Sequence, residues 1–449
     1  MKPARTIVGA CLLAVATTLA SAQDQSAGKE VITIPKEQYE KMLRVLAEHD
    51  KLVDEMKEMK AFKARFEESQ KKPAAQQAET DQALDELDKK ISAVKQMAKD
   101  AFPGSTKLLL SGYGSAGFTM QDHGGTKQFG ATFNPIFLWK LSDRLLFEGE
   151  LEAQLEGHDT SLALELAQIS YLLNDYVTIG AGKFLNPMNY FVERQHMAWV
   201  NKLPDKPLAV YDGLLPETEV GFQIRGGVPV GSTKFGYALY AANAPDLHTD
   251  TASYGVPDLG TLGGENFDNV GRHVAFGGRV SFFPIPELEI GYGVQTSEVA
   301  PPGNGGSVNS LLQSADLSYV RDSAWLKGVL NLKAQWVWSH VGGYNYDPDG
   351  ALGGPFPFRN NRDGGYAQIS YRPSLSENAF LKNIEPVFRY DMLNQARTLT
   401  GTDERRYTIG LNYWLGPSSV FKVAYEFDHQ SGPNADPHNA VLLQMATGF

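Results

Sequence analysis

The sequence predicts an all-β fold, an antiparallel transmembrane β-barrel of about sixteen strands, preceded by an α-helical coiled-coil stalk. Three observations lead there: long runs that alternate at every second residue, connections that alternate in length, and a helical period confined to the region before residue 104. The alternation is clearest in a hairpin from Phe129 to Glu156. In its second arm Leu145, Phe147, Gly149, Leu151, Ala153 and Leu155 take one parity, and Leu146, Glu148, Glu150, Glu152, Gln154 and Glu156 take the other. The first arm sets Phe129, Ala131, Phe133, Pro135, Phe137, Trp139 and Leu141 on one side, although Ile136 and Leu138 spoil the polarity of the opposite side. Each arm sustains about a dozen residues. Soluble strands mostly run to about 5 or 6, whereas a tilted membrane strand needs about 9 to 11.

At the amino end Lys2 and Arg5 precede an apolar run from Ile7 to Leu19, followed by the small residues Ala20, Ser21 and Ala22. That order predicts a secretory signal peptide over 1–22. The only cysteine, Cys11, lies within it, so the processed chain is expected to form no disulfide and no thiolate metal site. Residues 23–103 form the predicted stalk. Tyr39, Met42, Leu46, His49, Val53 and Met56 recur at spacings of three and four, and Met59, Phe62 and Phe66 continue the seam after a slip. Pro73 interrupts it, Leu84, Leu87, Ile91, Val94 and Ala98 form a second seam, and Pro103 and Gly104 end it. One narrow apolar stripe per helix calls for a partner copy.

Residues 104–449 hold the barrel. The chain has 449 residues, 42% of them hydrophobic, and a mean hydropathy of −0.29. Such a polar average is compatible with a barrel, in which only every second strand residue faces lipid. The net charge of −11 argues against nucleic-acid binding. Strand patterns recur at 326–338, 407–415 and 421–427, and candidates begin near residues 107, 129, 145, 161, 176, 218, 233, 272, 288, 309, 325, 363, 383, 405, 418 and 438. Short links fall at 142–144, 174–175, 228–233, 284–287, 321–324 and 416–419. Longer polar links fall at 121–128, 186–217, 244–271, 299–308, 341–363, 395–404 and 429–437. The short 157–160 and the longer 373–382 break the rule. In Ser161 to Leu173 the leucine parity and that of Ile169, Tyr171 and Leu173 disagree, which predicts a bulge or a wrong strand boundary. Trp139, Tyr171, Tyr176, Trp325, Trp338, Tyr371 and Tyr413 lie near strand ends, where interfacial aromatic girdles belong.

Several motifs dissolve on inspection. Gly112, Gly114 and Gly117 satisfy G-x-G-x-x-G, but no helix follows to make a dinucleotide site, so a glycine-rich first strand is the better reading. Asp347, Asp349 and Gly350 hint at a calcium loop, yet Phe358 stands where its bidentate glutamate belongs. The histidines lack ligand spacing, and no metal or other cofactor is expected. Glu148, Glu150 and Glu152 lie along one strand face, an acidic stripe that either lines a lumen or coats a solvated sheet rather than forming a catalytic pair. Opposite them the inward parity carries Arg225, Lys234, Arg279, Lys327, Lys333, Arg389 and Lys422. The link 186–217, at about thirty residues, far exceeds the usual 4 to 6 or so. It is expected to fold into the barrel, the alternative being an external cap, and to bring Arg194, Lys202 and Lys206 to a constriction.

The chain ends in Val441, Leu443, Met445, Thr447 and Phe449 on one parity, similar to the closing strand of bacterial outer-membrane proteins, whose assembly machinery reads a terminal aromatic. Ile179 to Pro187 (IGAGKFLNP), Phe191 to Arg194 (FVER) and Val220 to Arg225 (VGFQIR) look like the strand, long loop and returning strand of trimeric porins of the phosphate-selective porin O and P type. More loosely, the layout resembles DcaP-type dicarboxylate porins, which carry an N-terminal coiled coil. The resemblance implies a homotrimer in outer-membrane lipid, a periplasmic stalk, and passive transport of small hydrophilic solutes such as phosphate or small organic anions. Two rivals differ in class: a structural anchor joining a plugged barrel to the cell wall, and a barrel enzyme. The enzyme needs a nucleophile and a base at one rim, and no Ser/His pair identifies itself, so no catalytic residue is expected.

Overall fold

The computed structural model describes residues 107–449 apart from 124, 157–158, 212, 251–258, 264–272, 303–305, 347–354, 396–401 and 433–434. The expected signal peptide, the stalk with both seams, and the Asp347–Asp349–Gly350 turn lie outside the described residues.

Sixteen antiparallel strands among the described residues close into one barrel. They are β1 (Lys107–Gln121), β2 (Lys127–Lys140), β3 (Leu145–Glu156), β4 (Asp159–Asn174), β5 (Val177–Leu185), β6 (Thr218–Val230), β7 (Thr233–Asn243) and β8 (Val274–Ile285). The remainder are β9 (Leu288–Val299), β10 (Val308–Ser323), β11 (Gly328–Tyr346), β12 (Phe356–Arg372), β13 (Ile384–Asn394), β14 (Asp403–Trp414), β15 (Ser419–Ser431) and β16 (Ala440–Gly448). Each strand pairs with its sequence neighbours, and β16 returns to β1. Two short helices, α1 (Tyr190–Gln195) and α2 (Leu208–Tyr211), lie in the connection between β5 and β6.

Closure satisfies backbone groups that an open edge would leave bare in hydrocarbon. The seam is tied at both ends. At the rim that carries the chain terminus, Gly112 and Phe449 exchange backbone hydrogen bonds of 3.1 and 2.9 Å, Ser111 Oγ donates to the Phe449 carbonyl, and the Phe449 ring stacks on Phe133. A side chain at position 112 would collide with the Asn134 carbonyl and the Phe449 ring, which explains the glycine. At the other rim Asp122 accepts from the backbone and side-chain nitrogens of Asn439, both at 2.9 Å. The Asn439 interaction, joined by His123, holds the Asp122 carboxyl below its usual range.

The outer wall is apolar and exposed, as at Phe222 (69%) and Ile409 (55%), while the opposite parity of the same strands is polar and covered. This inverts the arrangement of a soluble domain and provides a belt suited to lipid. In β4 the expected bulge is present. Glu150 pairs with Leu166 and Leu151 with Leu164, leaving Glu165 over, so Leu162 and Leu164 face outward before it and Ile169 and Tyr171 after it. Two strands run longer than expected, β11 to Tyr346 and β12 from Phe356. Their upper halves place polar His340 and Asn361 on the outer parity, so the apolar signal stops before the ladder does. Lys327 departs from its expected place on the inner wall: it sits in the exposed turn before β11 with a left-handed φ of 53°.

Candidate functional site

The connection 186–217 folds into the barrel. Its mouth is closed by Asn186 N donating to the Glu217 carbonyl, and the Asn186 amide donates to Glu219 on β6. Asn189 caps α1 through its side-chain oxygen, which accepts from Val192 N. The helix buries Tyr190, Phe191, Val192 and Gln195 inside the barrel. Gln335 on β11 accepts from Phe191 N and donates to the Met188 carbonyl, while Gln195 donates to the Tyr366 hydroxyl on β12.

Beyond α1 the chain is irregular, and its carbonyls need donors once they leave water. Strand cations supply them. Lys422 on β15 donates to the Ala198 and Leu203 carbonyls, and Asn412 on β14 to Lys202 O. The Arg389 guanidinium on β13 donates to Asp205 O at 2.9 Å and Lys206 O at 3.0 Å, and Arg406 on β14 to Lys206 O and Asp205 Oδ2. A guanidinium fork suits two carbonyls at once. Leu203 fills a pocket of Val387, Ala424, Ala440 and Leu442, and Trp199 packs beside Trp414, Val420 and Ala446. The described residues 244–250 and 259–263 of the next long connection also turn inward. Leu247, Leu259 and Leu262 join Leu208 and Leu214 of the first loop and Leu312, Val337 and Leu393 of the wall in one apolar cluster.

The charged residues singled out in the sequence divide into groups. Arg389 and Lys422, both 0% exposed, grip the loop backbone rather than face water. Arg279 is held by Asp316 and Glu289, Arg225 by Glu193, Arg194 by Glu193 and Glu289, Lys202 by Glu385, and Lys206 by Glu217. For Lys206 burial lowers the pKa but Glu217 outweighs it, so the ammonium is held above its usual range. Lys234 lies over the Phe283 ring near the terminal rim, and Lys333 stands half-buried on β11. Glu148, Glu150 and Glu152 share one inner face of β3, with Gln168 donating to Glu148.

At mid-height the loop reaches this face. His196 Nε2 stands 3.6 Å from Glu150 Oε2, its ring meets Tyr113 edge-on at 6.1 Å, and its Nδ1 contacts the Val192 carbonyl. Burial pulls the imidazole pKa down, but Glu150 and the Val192 carbonyl more than compensate, and the net shift is upward. Among the groups the sequence reading passed over, Arg406 shares inner parity with Thr408 and Asn412, a signal present in the alternation. The glutamates opposing the cations, Glu289, Glu385 and Glu426, carried no motif, because each pairing spans strands distant in sequence.

No protein-family model matches the sequence, and no curated protein matches it. Solved structures do. OmpF of Salmonella typhi, solved with daunomycin, superposes with a TM-score of 0.50 at 12% identity, covering 77% of this chain and 98% of that one. The outer-membrane channel DcaP of Acinetobacter baumannii gives 0.50 at 11% identity over 77% and 97%. At these identities the likeness is one of fold. Residues 107–449 have the sixteen-stranded fold of outer-membrane porins.

Proposed function

We propose that the protein is a passive, non-enzymatic diffusion channel of the bacterial outer membrane for small hydrophilic solutes. The observation that carries this is an apolar exposed belt around a polar interior that an ordered loop narrows. In this reading the protein works as a homotrimer, the segment before the barrel is a periplasmic coiled-coil stalk that follows a cleaved signal peptide, and Phe449 is the signal read by the assembly machinery. Aromatics at the terminal rim, among them Trp139, Tyr171 and Tyr176, support placement in lipid with that rim at an interface. The phosphate or organic-anion substrates implied by the resemblance need accessible cations. The cations at the constriction are engaged with carboxylates and carbonyls, which weakens that choice.

A second reading, a structural anchor with a plugged barrel, is favoured by the apolar cluster that spans the interior from β4 to β13. Purified protein reconstituted in a planar bilayer separates the two. Discrete conductance steps are expected of the channel, and insertion without steps would favour the anchor. A water-soluble monomer that needs no detergent would overturn both.

A further inference from the structure

The interior is not equally accessible all round. From β9 to β15 the inward side chains at mid-barrel, including Gln295, Ser314, Gln335, Gln368, Arg389, Thr408 and Lys422, are all buried beneath the two infolded loops. On β1 to β4 the inward Ser115, Thr132, Glu148, Glu152, Gln154 and Glu165 keep accessible surface. A solute crossing the barrel meets this second wall. The accessible surface is interrupted only at mid-height, where Tyr113, Asn134, Ile136, Glu150 and Leu166 are buried at the level of the His196 contact.

Charge along that wall is one-sided. The part-exposed cations of the loop and of β6 are each matched: Lys206 with Glu217, Arg225 with Glu193, and Arg194 with Glu193 and Glu289. Among the described residues Glu152 and Glu165 on the long-loop side of the contact, and Glu148 on the other side, make no ion pair, although Lys183 and Lys206 lie near enough to act on Glu165. Gln168 is the neutral donor to Glu148. At the contact itself Glu150 is 2% exposed; one carboxylate oxygen faces His196, while Oε1 has no hydrogen-bond partner. His196 and Tyr113 flank this buried carboxylate, so it acts on the lumen through its field rather than by contact. Lys333, equally part-exposed and without an ion pair among the described residues, belongs to β11, away from these carboxylates.

We propose that the path along β1 to β4 prefers cations, with Glu152, beside Glu165, and Glu148 concentrating them on either side of the buried Glu150. The substrate class is small cations, inorganic or carrying an ammonium group. This rests on the channel reading above. Fields from like charges in a low-dielectric passage raise the local concentration of counter-ions and exclude co-ions.

The test is the reversal potential of single channels of the full chain in a potassium chloride gradient. The wild type is expected to favour potassium. Glu148→Gln with Glu152→Gln and Glu165→Gln is expected to cut the potassium-to-chloride permeability ratio several-fold while conductance steps persist, and Glu150→Gln alone to lower it as well. Chloride preference in the wild type, or a ratio unmoved in the conducting triple variant, would overturn the cation path and leave the channel standing. Absence of conductance in the wild type would overturn the channel, and the cation path with it. If the triple variant fails to assemble, the wild type measured with impermeant tetraalkylammonium or sulfate replacing one ion reads the same preference. Current carried by potassium is expected to survive sulfate substitution for chloride, and its loss would overturn the proposal.

Discussion

The two sides of the barrel interior use charge differently. On β13 to β15, Arg389, Arg406 and Lys422 are buried and engaged with the carbonyls of Ala198 to Lys206. On β3 and β4, Glu148, Glu152 and Glu165 keep part of their surface and meet no ion-pair partner among the described residues. The difference shows that an inward charge has two fates in a wide barrel. Against an infolded loop it replaces the water that the loop's backbone has given up, and so becomes structural. Where the loop does not reach, it keeps part of its surface and acts on whatever passes.

The largest expected effect removes the distinction. Replacing 190–210 with a short glycine-serine link should raise single-channel conductance several-fold, because the strand ladder that closes the barrel does not depend on the loop. An unchanged conductance in an assembled variant would show that the loop does not limit flow.

Next, Arg406→Ala should loosen the loop without opening the barrel. It leaves Asp205 and Glu426 without their shared guanidinium, and breaking a buried pair costs about 3 to 5 kcal/mol. Trypsin cleavage after Arg194 or Lys202 should accelerate. Equal resistance in wild type and variant would mean that docking rests on apolar contacts such as that of Leu203.

A smaller effect is expected from pH at the mid-height contact. The imidazole of His196 faces Glu150 of β3, Glu165 of β4, Tyr113 of β1 and the Val192 carbonyl. Its folded pKa lies above the ordinary value, so the ion pair is complete below the ordinary histidine range and is lost as pH rises through the folded value. Raising the pH through that window should increase cation preference, since Glu150 then loses its positive neighbour. His196→Ala should abolish the response, and a response that survives would place the titrating group elsewhere.

The smallest effect concerns the seam. Asp122 has a lowered pKa, so its contribution is present above the ordinary carboxyl range and lost as pH falls through the folded value. Asp122→Ala should lower the temperature at which the folded band unfolds on a heated gel, most visibly at neutral pH. No change would assign closure at that rim to the β1–β16 ladder alone.

Much of the barrel was legible because a lipid-facing strand repeats every two residues, a period that no helix or loop imitates for long. The β4 bulge showed only as a conflict between the leucine parity and that of Ile169, Tyr171 and Leu173, and the ladder placed it at Glu165. The upper ends of β11 and β12 did not, because His340 and Asn361 put polar side chains on both faces once the strands leave the apolar belt. Lys327 was misplaced for a related reason. Leu326 continues the apolar parity by one step into a turn.

Sequence alone determined which parity faces lipid, how many strands there are, and that the 186–217 connection is too long to be a mere link. Those follow from local patterns. Which inward charges meet each other was decided only by closure, since Lys202 lies 183 residues from Glu385 and Asp205 lies 201 residues from Arg406 along the chain. Alternation places every such residue inward but carries no information about what lies across the barrel. The loop, by choosing β9 to β15 to lean on, turned one set of cations into fasteners and left the carboxylates of β3 and β4 beside the remaining space.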